Sequence, residues 1–135
     1  MVSAAASNTE RAELETAGPA AFRTFFRIAD LWKLSPEEQM TVLGLASRST
    51  YYKWRNEPPA RLTPDLLERL SYIFGIYKDL QVLLPDPLAA DAWIRKPNAA
   101  PLFGGGSALE RILSGHVADL YVVRKYLDAE RGGWS

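Results

Sequence analysis

Apolar side chains along this 135-residue chain recur at helical spacing, and no stretch alternates at the two-residue period of a strand. Phe22, Phe25, Phe26, Ala29 and Trp32 stand at i, i+3, i+4, i+7 and i+10, which predicts an amphipathic first helix from Pro19. Its heavy aromatic face suits core packing, with a dimer contact as the second reading. Ser35-Pro36-Glu37-Glu38 has the layout of a capping box and opens a second helix. Met40, Val42 and Leu43 supply that helix with an apolar face, and Gly44 ends it. A third helix is predicted over Ser47 to Asn56, closed by Glu57-Pro58-Pro59. Thr63-Pro64-Asp65 starts a fourth, whose Leu66, Leu67, Leu70, Ile73, Phe74, Tyr77 and Leu80 keep strong periodicity until Leu84-Pro85. Gly75 inside it leaves room for the close approach of a neighbouring helix.

Past Pro85 the pattern shortens. Asp86-Pro87 opens a brief helix through Trp93 and Ile94. A loop with two prolines and three consecutive glycines, Gly104 to Gly106, follows. Ser107-Ala108-Leu109-Glu110 reads as a second capping box, leading a short helix that ends at Gly115. A last helix is predicted from His116 to Glu130, and Gly132-Gly133 should terminate it. Residues 1–17 are small, polar and mixed in charge, and read as a disordered leader. The fold class is therefore all-α.

The most specific chemical hint lies where the second and third predicted helices meet. Leu43-Gly44-Leu45-Ala46-Ser47-Arg48-Ser49-Thr50 is a helix end, a glycine turn, and a new helix whose first turn carries small polar and basic side chains. That is the layout of a helix-turn-helix, whose second helix enters the DNA major groove. An ordinary helical corner with a solvated basic face is the alternative. On the first reading Arg48, Ser49, Thr50 and Lys53 face bases, while Ser47 and Arg55 lie toward phosphate.

Composition narrows the choices. Hydrophobic residues at 47% exclude a disordered chain, and Lys+Arg and Asp+Glu at 16 each give zero formal charge. A stand-alone DNA binder carries excess positive charge to release counterions, so this balance favours weak binding or a dimer that concentrates charge. The absence of Cys removes disulfides and thiolate metal sites, and one His, His116, cannot build a His-rich one. No metal or cofactor is expected. With no secretory signal pattern at Met1-Val2-Ser3 and no membrane-length apolar run, the chain reads as cytoplasmic.

Enzyme signatures fail one by one. The triple glycine lacks phosphate-loop spacing and a following Lys-Ser/Thr. Glu37 and Glu38 are adjacent on a helix and point apart. His116 and Asp119 form a lone pair without a nucleophile. No catalytic residue is expected. Trp134, one residue from the end and beyond two glycines, has two readings: it folds onto the chain's own core, or it anchors in a partner's pocket.

Taken together, these residues resemble the Xre/MbcA/ParS family of bacterial antitoxins, over roughly residues 20 to 135. The resemblance is carried by Leu43-Gly44 through Trp54, by Ala92-Trp93-Ile94-Arg95-Lys96-Pro97-Asn98, by Phe103-Gly104-Gly105, and by Ser107-Ala108-Leu109-Glu110 with Ile112-Leu113. Ala108 stands where the family usually has Pro, and Gly106 is an extra glycine. The resemblance implies a helix-turn-helix (Xre-like) four-helix domain over 18–84 and a small helical toxin-binding domain over 85–135. It further implies a RES-domain toxin acting on NAD+ as partner, operator DNA as a second partner, and a homodimer within a larger complex. In such a complex Arg131, Gly132, Gly133, Trp134 and Ser135 would enter the toxin's cleft, with Asp119 and Tyr126 at its rim. A free-standing helix-turn-helix regulator with a C-terminal ligand or dimerisation domain is the alternative.

Overall fold

Ser35 and Glu38 close their reciprocal cap: Glu38 N–H donates to Ser35 Oγ at 3.1 Å, and Ser35 N–H donates to Glu38 Oε1 at 2.9 Å. Both unpaired donors at that helix start are thereby satisfied. Ser47, Thr63, Asp86 and Ser107 likewise accept from a backbone N–H at their helix starts. The computed structural model containing these caps describes residues 17–132. Nearly all of the predicted leader, residues 1–16 of 1–17, lies outside that range, as do Gly133, Trp134 and Ser135.

Seven α-helices follow in chain order among the described residues: α1 (Gly18–Leu31), α2 (Pro36–Leu43), α3 (Arg48–Asn56), α4 (Pro64–Leu83), α5 (Pro87–Ala92), α6 (Ala108–Ile112) and α7 (Val117–Gly132). Single 3-10 turns at Trp93–Arg95 and Pro101–Phe103 sit between α5 and α6. Gly44 ends α2 in the left-handed region at φ 71°, where a side chain would be strained. The chain then turns into α3.

The aromatic stripe of α1 is used within the chain. Phe22, Phe25, Ala29 and Trp32 are buried, and Phe22 meets Trp54 of α3 edge-on at 5.3 Å between ring centres. Each such ring removed from water contributes about 1.5–3 kcal/mol. That leaves little of this face for a dimer contact.

α4 is shared by both ends of the molecule. It packs against α1 and α2 on one side and against α5 and α7 on the other, and its Leu66, Leu70, Ile73, Ile76 and Leu80 belong to one continuous core. Gly75 is what lets α7 come close. A Cβ there would sit 1.9 Å from the Arg124 guanidinium, so the predicted close approach is made by a charged side chain of α7. Arg124 also donates to Ser71 O at 3.3 Å, across the same seam.

The last helix differs from expectation. It begins at Val117 and includes Gly132, whereas the glycine pair was expected to stop it after Glu130. Arg131 accounts for the two added residues, because its guanidinium reaches the buried Asp79 of α4 at 3.0 Å and holds the end of α7 down. At α6 the Ser half of the predicted capping box forms, with Glu110 N–H donating to Ser107 Oγ at 3.1 Å.

Candidate functional site

Two regions carry the functional expectations. The first is α3. Ser47 is its cap, accepting from Thr50 N–H at 3.2 Å and sharing a hydrogen bond with Ser49 Oγ at 3.0 Å. Ser47 is therefore a positioning residue for the first turn. Arg48 pairs with Glu37 of α2 at 2.9 Å, both side chains being 60% exposed. The Glu37 carboxyl is held below its ordinary range by a backbone hydrogen bond at the start of α2 and by Arg48. An ion pair this exposed is weak and yields readily to a phosphate. Lys53 and Ser49 are exposed, and Thr50 is half-buried.

A relay of hydrogen bonds fixes α3 against the rest of the domain. Tyr51 is buried and donates from its hydroxyl to Gln39 Oε1 at 2.6 Å, while Gln39 Nε2 donates to Leu34 O at 2.9 Å. Arg55 Nη1 donates to the same Tyr51 hydroxyl at 3.2 Å, and its guanidinium lies 4.8 Å from the Phe26 ring centre. Arg55 thus sits at the α1 edge of the recognition helix with its orientation set. Tyr52, 45% exposed on the same outer face as Ser49, was not among the sequence candidates. Its place between the buried Tyr51 and the half-buried Trp54 masked it in the pattern.

The second region is the C-terminal half. The Trp93-to-Gly106 segment folds for identifiable reasons. Asn98 Oδ1 accepts from Ala100 N–H at 2.8 Å, an Asx turn that starts the 3-10 turn at Pro101. Phe103 then stands edge-on to Trp93 at 6.1 Å and to Tyr126 at 5.3 Å. Gly104 and Gly105, at φ 57° and 87°, reverse the chain so that Asn98 N–H reaches Gly106 O at 2.9 Å. Ala108, where a proline was the usual expectation, is fully buried at the first position of α6, and the cap is intact.

The sequence-named residues of α7 are engaged inside the molecule. Asp119 accepts from Arg111 Nε at 2.8 Å and from Ser114 Oγ, and so joins α6 to α7. Its carboxyl lies below the ordinary range, the Ser114 hydrogen bond being the largest cause and outweighing burial, with Arg111 adding to it. The sequence suggests Asp119 and His116 as a lone pair; in the fold Asp119 N–H donates to His116 O at 3.0 Å, and the carboxylate belongs to Arg111. Tyr126 is half-buried on Phe103. Together with Leu83, Leu84, Trp93 and Glu130 it lines a depression of about 240 Å³ beside the end of α7. Trp93, Leu83 and Leu84 belong to that wall although site reasoning had not named them; only the fold brings the end of α4 to α7.

Arg131 is tied to Asp79, as above, and Arg124 bridges to Asp128 at 3.0 Å and stands 3.9 Å from Asp79. Burial pushes the Asp79 carboxyl above its usual range, and neighbouring Asp128 pushes it further. The expectation that Arg131 reaches out is thus met by a guanidinium already held within the chain. Gly132 is the last described residue of α7, and Gly133, Trp134 and Ser135 lie outside the described residues. Among the described residues no helix is long and apolar enough to cross a membrane.

A helix-turn-helix whose recognition helix is locked to its neighbours, joined through one long helix to a second helical module, defines the class of the molecule. The comparisons with known proteins give it a family. Residues 11–75 match the antitoxin Xre-like helix-turn-helix domain, and residues 79–133 match the antitoxin Xre/MbcA/ParS C-terminal toxin-binding domain. The uncharacterized protein y4oB of Sinorhizobium fredii (strain NBRC 101917 / NGR234) is 49% identical over 115 residues, which span 85% of this chain and 87% of that protein. The chain belongs to the Xre/MbcA/ParS antitoxin family and is an antitoxin of a toxin–antitoxin pair.

Proposed function

We propose that this antitoxin neutralises a RES-domain toxin that acts on NAD+, by filling the toxin's substrate cleft with its C-terminal segment. The observation that supports the reading is the toxin-binding match, which runs to residue 133 and so takes in all of α7. The mechanism is steric competition. Gly133, Trp134 and Ser135 enter the cleft, where an indole offers a stacking surface. Arg131 acts by anchoring the last turn of α7 to Asp79, so that the segment leaves from a fixed point. Tyr126, with Trp93, presents the rim, and Asp119 holds α7 to α6 behind it.

The same chain represses its own operon through α3. Arg48, Ser49, Thr50 and Lys53 face base edges as a homodimer places two recognition helices on one duplex. Ser47 and Arg55 orient that surface. The antitoxin has no catalytic role in this scheme.

The test is co-expression with the neighbouring reading frame, purification of the pair, and an NAD+ turnover assay on the partner. A chain lacking residues 132–135 is expected to retain the fold and lose most of the inhibition. If the shortened chain inhibits as well as the full one, the cleft-filling mechanism is wrong. If the partner leaves NAD+ intact, the toxin class is wrong.

A further inference from the structure

Most arginines of this protein are neutralised in place. Arg48, Arg69, Arg95, Arg111, Arg124 and Arg131 each have a carboxylate within 4 Å. Among the described residues Arg23, Arg27, Arg55 and Arg61 have none, and the first three line one open depression of about 550 Å³ on the α1 side of α3. Asp30 is the one acid of its wall and makes no ion pair with any of them. In a chain of zero formal charge, this is a local positive surplus.

The arrangement works against the stability of the helix that bears it. Arg23 and Arg27 stand at i and i+4 on α1, both exposed, and like charges one turn apart destabilise a helix. Arg55 is held toward them by the Phe26 ring and the Tyr51 hydroxyl. An arginine fixed by two contacts, facing two unneutralised ones, is organised for an anion. The depression is open to solvent and lies along the surface. That geometry suits a charged backbone running along the surface better than a small phosphate.

We propose that Arg23, Arg27 and Arg55 form a second contact for the phosphate backbone of DNA, extending the face of α3 across α1. This rests on the DNA-reading role proposed for α3. The expected contacts are sequence-independent: they position the protein, while α3 reads the bases.

The test is DNA binding by fluorescence anisotropy across a salt series. The probes are a duplex from upstream of the protein's own reading frame and a scrambled duplex of equal length. Arg23→Gln with Arg27→Gln, both exposed and unpaired, is compared with the unaltered chain and with Arg48→Ala plus Lys53→Ala. The expected result is that the Gln pair weakens both duplexes alike and lowers the slope of log affinity against log salt by about 2, near 0.9 per phosphate contact. The Arg48/Lys53 variant is expected to reduce the preference for the upstream duplex. If the unaltered chain prefers the upstream duplex and the Gln pair leaves the slope unchanged, the inference falls and the role of α3 stands. If the unaltered chain binds neither duplex at low salt, both fall. If the Gln pair leaves DNA binding intact and weakens capture of the toxin, the patch is a protein contact and the inference is overturned.

Discussion

Tyr51 is the residue on which the recognition helix depends most. Its hydroxyl donates to Gln39 and accepts from Arg55, and its ring is buried, so one side chain joins α2 to α3 and to the Arg55 guanidinium. Tyr51→Phe keeps the ring and leaves the Gln39 oxygen buried without its donor. A loss of about 1–3 kcal/mol in urea unfolding is expected, because an orphaned buried acceptor retains its full desolvation cost. Gln39→Leu combined with Tyr51→Phe should cost less than the two single changes added together, and a double-mutant cycle reads that difference directly. Gly18 invites a change of opposite logic. Alanine favours helices, yet a Cβ at Gly18 would lie 1.9 Å from the Pro59 carbonyl oxygen, a backbone atom with little freedom to move. Gly18→Ala is therefore expected to lower the thermal midpoint despite its better propensity, and a calorimetric rise would contradict the packing described.

Among the elements, the α6–α7 junction depends on pH with a definite sign. The folded state holds the Asp119 carboxyl below its ordinary value, through Ser114 first and Arg111 after. Its stabilising share is thus complete above the ordinary carboxylate range and is lost as pH falls through the folded value. Asp79 has the opposite sign. Burial favours its neutral form, so its charge opposes folding progressively as pH rises from the ordinary value through the raised one. Asp119→Asn should flatten the acid limb of a stability-versus-pH curve; an unchanged limb would show that the junction does not titrate as argued.

These two carboxylates also show what was legible in the chain. Ser35-Pro36-Glu37-Glu38, Thr63-Pro64 and Asp86-Pro87 announced their helices because capping is local, completed within four residues. Gly44 and the first-turn polar residues of α3 marked the turn and the candidate DNA face for the same reason. The partners of Asp119, Arg131 and Arg95 were not readable. Arg131 finds Asp79 at 52 residues' separation, and Arg95 finds the carbonyl of Trp32 at 63. Nothing in a helical period states which charge will meet which across a core. The last two residues of α7 were not legible on that account, nor was the surplus of Arg23, Arg27 and Arg55, visible only once most other arginines have found their acids.

At the scale of the whole molecule, Arg95 ties the C-terminal half to the N-terminal one. It donates to Trp32 O at 2.9 Å, to Lys33 O, and to Glu38 Oε1 at 3.4 Å, so the end of α1 and the start of α2 hang on one guanidinium. Charged donors to carbonyls are worth about 1.5–3 kcal/mol each at most, and the half-exposed contacts here less. Arg95→Ala is expected to lower the unfolding midpoint and to speed limited proteolysis near Lys33, which a time course on gels would follow. Because one core runs through both halves, circular dichroism and tryptophan fluorescence should report a single coincident transition; two separated transitions would mean that the halves are stable apart.

The shared helix α4 has a consequence for how such antitoxins can diversify. A toxin-facing half cannot be exchanged between relatives as a cassette cut at Leu84, since its inner wall is the face of α4 that meets α5 and α7. A crossover there would join a foreign α7 to a helix shaped for another, with Gly75 and Asp79 no longer matched to Arg124 and Arg131. Recombinants that survive are expected to carry α4 with the incoming half and then to adjust α1 and α2 behind it. New toxin specificity would in this way reach the helix-turn-helix half by inheritance of a common helix, and the two halves would drift as a pair.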